Sequence, residues 1–211
     1  MISWLQLPYN KRPRLVTLYY DEPDHSGHFF GPDSKEVAEQ VRYTDEQVGN
    51  LYRRLMQLPI ADSLNFIIVS DHGMRNISKE KKIILEDFVN PNWVKGAYGG
   101  NPVYIVDAKA GKQDSLYKAL RKIKYLKVFK SKKMPSRWNF GKNVRAGDFF
   151  VVAKKGWSLF LTKNKKFDFR GTHGYLNNDK QMAALFVAKG ASFKNGYTQR
   201  RIKNAQRWKI S

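Results

Sequence analysis

Asn65-Phe-Ile-Ile-Val-Ser-Asp-His-Gly73 decides the fold. Its first residues form a short apolar run of β-branched and aromatic types bounded by polar residues, which predicts a strand covered on both faces. Asp71 and His72 stand directly past its end. On the N-terminal side, Arg14-Leu-Val-Thr-Leu-Tyr-Tyr20 has the composition of another strand, and the following Asp21-Glu-Pro-Asp-His-Ser-Gly-His28 reads as a loop because Pro and Gly interrupt the pattern. A helix is expected between the two strands. Asp33 can cap it with Glu36 three residues later, Val37, Val41, Val48, Leu51 and Leu55 recur on one face, and the helix should end near Leu58-Pro59. Strand, helix and strand in this order form the βαβ unit of a parallel sheet with helices on its faces, so the fold class is α/β.

Beyond residue 80 the elements shorten. Gly96, Gly99, Gly100 and Pro102 mark loop before a strand-like Val103-Tyr-Ile-Val-Asp107. A helix is expected over 113–123 through Leu116, Leu120 and Ile123, followed by a strand over Leu126–Lys130. Phe149–Ala153 and Ser158–Thr162, separated by Lys-Lys-Gly-Trp, read as a hairpin. The run Met182–Ala188 should return to the core. This gives a domain reading in which residues 1–90 and about 168–211 form the core and about 91–167 an inserted α+β lobe.

The chain has 211 residues, 42% of them hydrophobic, which is enough for one domain with a sizeable core. No apolar run approaches the ~20 residues of a membrane span, and the N-terminus lacks the pattern of a secretory signal. With no cysteine, disulfides and thiolate metal sites are excluded, so a zinc ion would have to be held by His and carboxylate groups. The net charge of +21 is regional: residues 1–80 carry 9 Lys/Arg against 11 Asp/Glu, and residues 81–211 carry 30 against 7. A basic surface of this kind attracts nucleic acid, anionic lipid or phosphorylated substrates, and it is equally the solvated face of a lysine-rich protein.

Three of the four histidines sit in glycine-containing turns beside apolar runs: His28 after Gly27, His72 before Gly73, and His173 before Gly174. Asp24 lies four residues before His28, and Asp71 directly precedes His72. Asp with His is a ligand set for borderline divalent metals, and loops at the carboxyl ends of parallel strands converge on one crevice. An Asp-His pair in a turn also serves as a capping or hydrogen-bonding device. Three such turns use almost every histidine in the chain, which favours a shared metal site. His25 reads as a solvent-exposed bystander.

These residues carry a resemblance. Arg12–Pro32 resembles the strand and first metal-binding turn of the nucleotide pyrophosphatase/phosphodiesterase family of the alkaline phosphatase superfamily. Val69-Ser-Asp-His-Gly-Met74 resembles the second turn, and Gly171-Thr-His-Gly-Tyr175 the third. The similarity continues through Pro135–Trp138 and Gly147–Ala153 and covers nearly the whole chain. It implies an alkaline-phosphatase-like, mostly parallel sheet flanked by helices and a site with two Zn2+ ions bridging the reacting phosphate. Asp24, His28 and His173 would hold one ion, and Asp71 with His72 part of the other. The resemblance assigns an aspartate ligand and a threonine nucleophile to a preceding segment, so the chain is expected to be a truncated, inactive portion; Trp4–Pro8 resembles a segment internal to the family's catalytic domain. Ser70 and Thr172 adjoin ligands but read as structural hydroxyls. Tyr19 corresponds to a tyrosine lining the substrate pocket. Leu176 departs from the aspartate often found after the Gly-Tyr pair, without touching a ligand.

The resemblance implies hydrolysis of phosphodiester or pyrophosphate bonds in a nucleotide or other small molecule, with no specific nucleic-acid partner, and an extracytoplasmic setting. A choline phospholipid is the alternative substrate within the family. The alternative outside it is a non-catalytic basic module that binds nucleic acid with strong salt dependence and no need of zinc.

Overall fold

The computed structural model describes residues 1–138, 140–141, 143–163 and 168–202. Residues 164–167 of the expected lobe and 203–211 of the expected core lie outside the described residues. Among the described residues no helix is long and apolar enough to cross a membrane.

The N-terminal third holds three helices, α1 (Ile2–Leu5), α2 (Asp24–Phe30) and α3 (Lys35–Leu55). The α3 cap falls one residue later than expected: Ser34 Oγ accepts from Val37 N at 3.2 Å, while Asp33 accepts from Asn76 Nδ2 instead. Glu36 in its first turn and Arg53 and Arg54 in its last complement the helix dipole. The helix ends at Leu55, three residues before Leu58. The segment expected as a loop around Asp24 is the helix α2, because Pro23 is tolerated at its N-cap and a single interior glycine weakens a short helix without breaking it.

Residues 14–20, expected as a strand, join no ladder among the described residues, and Leu15 is 81% exposed. A strand needs a neighbour to satisfy its backbone, and none of the described strands lies beside this one. The same shortage alters β1 (Asn65–Val69). Its one partner among the described residues is β10 (Phe186–Gly190), antiparallel, with Ile68 opposite Val187. Ile67 and Val69 are 51% and 63% exposed, so β1 is not covered on both faces. Phe186 and Val187 likewise stay exposed; the Met182–Ala188 run meets the core at Met182, which packs against the buried cluster, and then returns to β1.

The best-packed region lies between residues 83 and 175. It centres on a four-stranded antiparallel sheet in the order β4 (Val94–Gly100), β5 (Val103–Ala108), β7 (Phe149–Ala153), β6 (Leu126–Lys130). Alternation along β5 turns Tyr104, Val106 and Ala108 inward. The helix α4 (Gln113–Lys122) presents Leu116 and Leu120, four residues apart, to the same cluster, where both are fully buried beside Phe149 and Val151.

The expected hairpin does not form. β7 is already paired on both edges, by β5 and β6, so it has no free ladder to offer β8 (Ser158–Phe160). The chain turns away at Gly156 (φ +76°), and β8 pairs in parallel with β3 (Lys82–Ile84), placing Ile83 opposite Leu159. This is the single parallel ladder among the described residues, so the parallel character expected of the sheet rests on it within this chain. The last pair joins β2 (Arg75–Asn76) to β9 (Gly171–Thr172), antiparallel.

Arg75 extends from β2 into a buried ion pair. Its Nε and Nη2 donate to Asp179 Oδ2 and Oδ1 at 2.8 and 2.9 Å, and the Asp179 side chain is only 1% exposed. The two hydrogen bonds from Arg75 hold the Asp179 carboxyl below its ordinary range, burial opposing them, with a further bond from Gln181 N. A carboxyl with a depressed folded-state pKa stabilises the fold above its unfolded value of about 4, and that contribution is lost as pH falls from there through the folded value. Urea midpoints measured from pH 7 to pH 3 should therefore drop in the wild type and drop less in Asp179→Asn, whose stability at neutral pH is already reduced. In the core, Leu120→Ala should cost about 2–5 kcal/mol of unfolding free energy, read from urea titration.

Candidate metal centre

Three short segments supply the site, and each has a local reason for its position. In α2, the spacing of four residues sets Asp24 and His28 on one helical face, with Asp24 Oδ2 3.5 Å from His28 Nε2. Two backbone-directed bonds tie α2 to the strand β9: Arg170 N donates to His28 O at 2.8 Å, and His28 Nδ1 donates to Gly171 O at 3.0 Å. The second bond makes Nδ1 the donor and turns Nε2 toward Asp24. His173 follows β9 directly, and its Nε2 lies 3.7 Å from Asp24 Oδ1. His72, in the turn between β1 and β2, uses Nδ1 for the Gly73 carbonyl at 3.0 Å. Its Nε2 lies 4.0 Å from Asp24 Oδ1 and 3.5 Å from Asp71 Oδ1.

One ligand atom each from Asp24, His28 and His173 falls within 4.8 Å of the others. The His72 ring stacks on His173 with centroids 3.5 Å apart and planes 12° from parallel, so the fourth and fifth expected residues, His72 and Asp71, adjoin the cluster. Asp24 Oδ1 is buried and has no hydrogen-bond partner among the described residues. A buried carboxylate oxygen without a donor is costly, and polar groups left so need an explanation. Asp24 is faced by ring nitrogens of three histidines, and because His28 and His72 each use Nδ1–H for a backbone carbonyl, the Nε2 atoms of their neutral rings are electron-pair donors. Such a set fits a divalent cation, and with no cysteine in the chain its chemistry suits zinc.

A cavity of about 440 Å³ opens beside Asp24 and His28, lined also by Tyr19, Asp21, Asn101, Phe160 and Thr172. Tyr19 thus stands at the cavity that adjoins the cluster. Phe29 and Phe169 form one wall, edge to face at 5.2 Å, and Phe169 also meets the His28 ring edge at 5.6 Å. His25 is exposed and packs 4.9 Å from Phe29 on the cavity rim. The hydroxyls of Ser70 and Thr172 are engaged with backbone, Ser70 accepting from Leu185 N and Thr172 donating to Asn101 O. The aromatic wall was not legible in the sequence: Phe29 and Phe169 are 140 residues apart, and an aromatic beside a histidine gives no one-dimensional signal.

Residues 1–176 match the family model described as type I phosphodiesterase/nucleotide pyrophosphatase. The chain belongs to this family. It is 32% identical over 94% of its length to human ectonucleotide pyrophosphatase/phosphodiesterase family member 5, and 33% identical over 96% to the bis(5'-adenosyl)-triphosphatase of Xenopus laevis. It spans 41% and 44% of those two proteins, under half of their length. Among solved structures, human member 5 superposes with a TM-score of 0.84 at 32% identity over 92% of this chain and 51% of its own. An inactive variant of the murine protein in complex with AMP gives the same TM-score. The α/β, alkaline-phosphatase-like fold is therefore that of these relatives, and the family is one of phosphodiester and pyrophosphate hydrolases.

Burial and the neighbouring His72 ring hold the His173 imidazole below the ordinary histidine range, Asp24 acting in the opposite direction. In the metal-free chain, NMR titration should find His173 remaining neutral below pH 6.5 and charging only at a lower pH. His72→Ala, which removes the stacked ring, should shift that titration and leave the fold intact.

Proposed function

We propose that this chain is the metal-binding portion of a zinc-dependent phosphodiesterase which, as the intact protein, hydrolyses phosphodiester or pyrophosphate bonds in a nucleotide or related small molecule. The observation that carries the reading is the buried, unpartnered Asp24 Oδ1 with the Nε2 atoms of His72 and His173 about it and His28 on the other oxygen. Asp24, His28 and His173 would hold one zinc ion, and Asp71 with His72 part of the second of two. Bound there, the ions supply Lewis-acid polarisation of phosphoryl oxygens and a lowered pKa for an attacking hydroxyl.

The rest of the work falls to the chain. The Nδ1 bonds to Gly171 O and Gly73 O hold His28 and His72 in one tautomer and orientation, as the outer contacts of metal-binding histidines do. The cavity walled by Phe29, Phe169 and Tyr19 offers aromatic faces and edges for a base or another apolar leaving group. The AMP complex of the murine relative supports a nucleotide as that ligand class. The hydroxyls of Ser70 and Thr172 are committed to backbone, so the reading assigns the attacking threonine and one further aspartate to a segment outside residues 1–211. It also keeps the division into a core of residues 1–90 and about 168–211 with a lobe over about 91–167, and an extracytoplasmic setting, consistent with the prefix in the relatives' names.

Zinc titration of the purified chain, quantified by elemental analysis, should give about one equivalent, reduced to background in His173→Ala. Asp24→Asn, which removes the carboxylate between the histidines, should also abolish binding. The chain alone should hydrolyse neither a nucleotide ester nor a choline ester. Two bound equivalents, or diesterase activity of the isolated chain that His173→Ala removes, would show that residues 1–211 supply the whole site.

A further inference from the structure

Met74 follows the His72-Gly73 turn and precedes β2, and its side chain lies against the other two ligand-bearing segments, at Gly27 and Gly171. A carbon built as a side chain on Gly27 would lie 2.5 Å from Met74 Sδ and 3.1 Å from its Cε. One built on Gly171 would lie 2.8 Å from the same sulfur and would also overlap the Gly27 carbonyl oxygen. The thioether therefore fills the space that either residue's side chain would take, over a close backbone approach between α2 and β9 that only glycine permits. Gly27 sits in the turn of α2 between Asp24 and His28, Gly171 is two residues before His173, and Met74 is two residues after His72. The β2–β9 register, Arg75 opposite Thr172, sets Met74 level with His173.

We propose that Met74 is a positioning residue for the metal cluster: its thioether, seated on Gly27 and Gly171, clamps α2, β9 and the His72 turn together, so that the imidazole nitrogens converge on Asp24. The backbone bonds alone leave a gap here. Arg170 N to His28 O and His28 Nδ1 to Gly171 O join α2 to β9, and the two-residue β2–β9 ladder joins β9 to the His72 turn. No backbone bond in this set joins the His72 turn to α2 directly, and Met74 spans that third side. Methionine suits the role because an unbranched, polarisable side chain fills an irregular gap between backbones without a fixed shape of its own.

The inference rests on the metal reading for its purpose, but its geometry can be tested without metal. In the metal-free 211-residue chain at pH 8, imidazole 15N NMR of the wild type should show His28 as a single Nδ1–H tautomer. Met74→Ala should give an averaged His28 signal, and Met74→Leu, which restores the volume, should recover the single tautomer. Leu120→Ala, which weakens the core without touching the site, should keep it; this separates positioning from general loss of stability. In zinc competition titrations, Met74→Ala should bind about 10–100-fold more weakly, with Met74→Leu much closer to wild type. Should Met74→Ala not fold, Met74→Val, which lacks the sulfur and terminal methyl, carries the same expectations. A single His28 tautomer with unchanged zinc affinity in the truncated variant would overturn the role given to Met74. A wild-type chain that binds no zinc would instead overturn the metal reading, and the tautomer measurement would still decide the positioning claim.

Discussion

A buried carboxylate oxygen with no donor among the described residues, set among the ring nitrogens of His72 and His173, is the constraint around which the site is arranged. Among the described residues no N–H reaches Asp24 Oδ1, and the groups about it are held in place: His28 by Gly171 O, His72 by Gly73 O, and Asp24 by the helix it shares with His28. The His28 lock joins residues 143 apart in the sequence, whereas those of His72 and Asp24 are local. Together they keep several electron-pair donors close, an arrangement that stabilises nothing by itself and becomes favourable with a cation among them.

What holds those segments against one another is the packed sheet at a distance. Asn101, in the turn between β4 and β5, accepts from Leu159 N at 2.8 Å through its side chain and from Thr172 Oγ1 at 3.3 Å through its carbonyl. One residue thus connects the buried β8 to the strand that leads to His173. Tyr175 adds a second tether, its hydroxyl donating to Trp157 O at 2.9 Å, and the Trp157 ring is stacked on Tyr125. The basic character of the second part of the chain enters this framework at Lys155, whose Nζ lies 3.6 Å from the buried Asp179 Oδ1. Other lysines lie over tyrosine rings, such as Lys130 at Tyr117 and Lys124 at Tyr125.

The sequence was most legible where local pattern and final environment agree. Val103–Asp107, residues 113–123 and Leu126–Lys130 alternate or repeat with the period of the element they form, and each packs into the core that the pattern implies. It was least legible where an element depends on a neighbour elsewhere in the chain. Nothing in Phe149–Ala153 reveals that both its edges are taken, and this alone turns an expected hairpin into two strands of different sheets. The site divides in the same way. Asp24, His28, Asp71, His72 and His173 could be picked out because histidine is scarce and each lies close to a glycine in the sequence. That Asp24 and His28 share a helix was hidden by Pro23 and Gly27, which signal a loop to any local rule. Met74, Phe29 and Phe169 were hidden because their roles exist only after three remote segments have met.

The unequal cover of the sheets has a consequence for how the molecule opens. Backbone amides of β5 and β7 sit inside a four-stranded ladder over a dry core, whereas those of β1 and β10 belong to a two-stranded ladder with water at Ile67, Val69 and Val187. Amide hydrogen exchange should therefore fall into two classes, with the outer ladder opening in fluctuations too small to unfold the sheet. The Ser70–Leu185 bond carries that ladder to the threshold of Asp71, so the His72 turn is tied on one side to the faster-opening ladder and on the other, through β2 and β9, to the strand before His173. A ligand that engages both histidines would fasten the two units into one cooperative body.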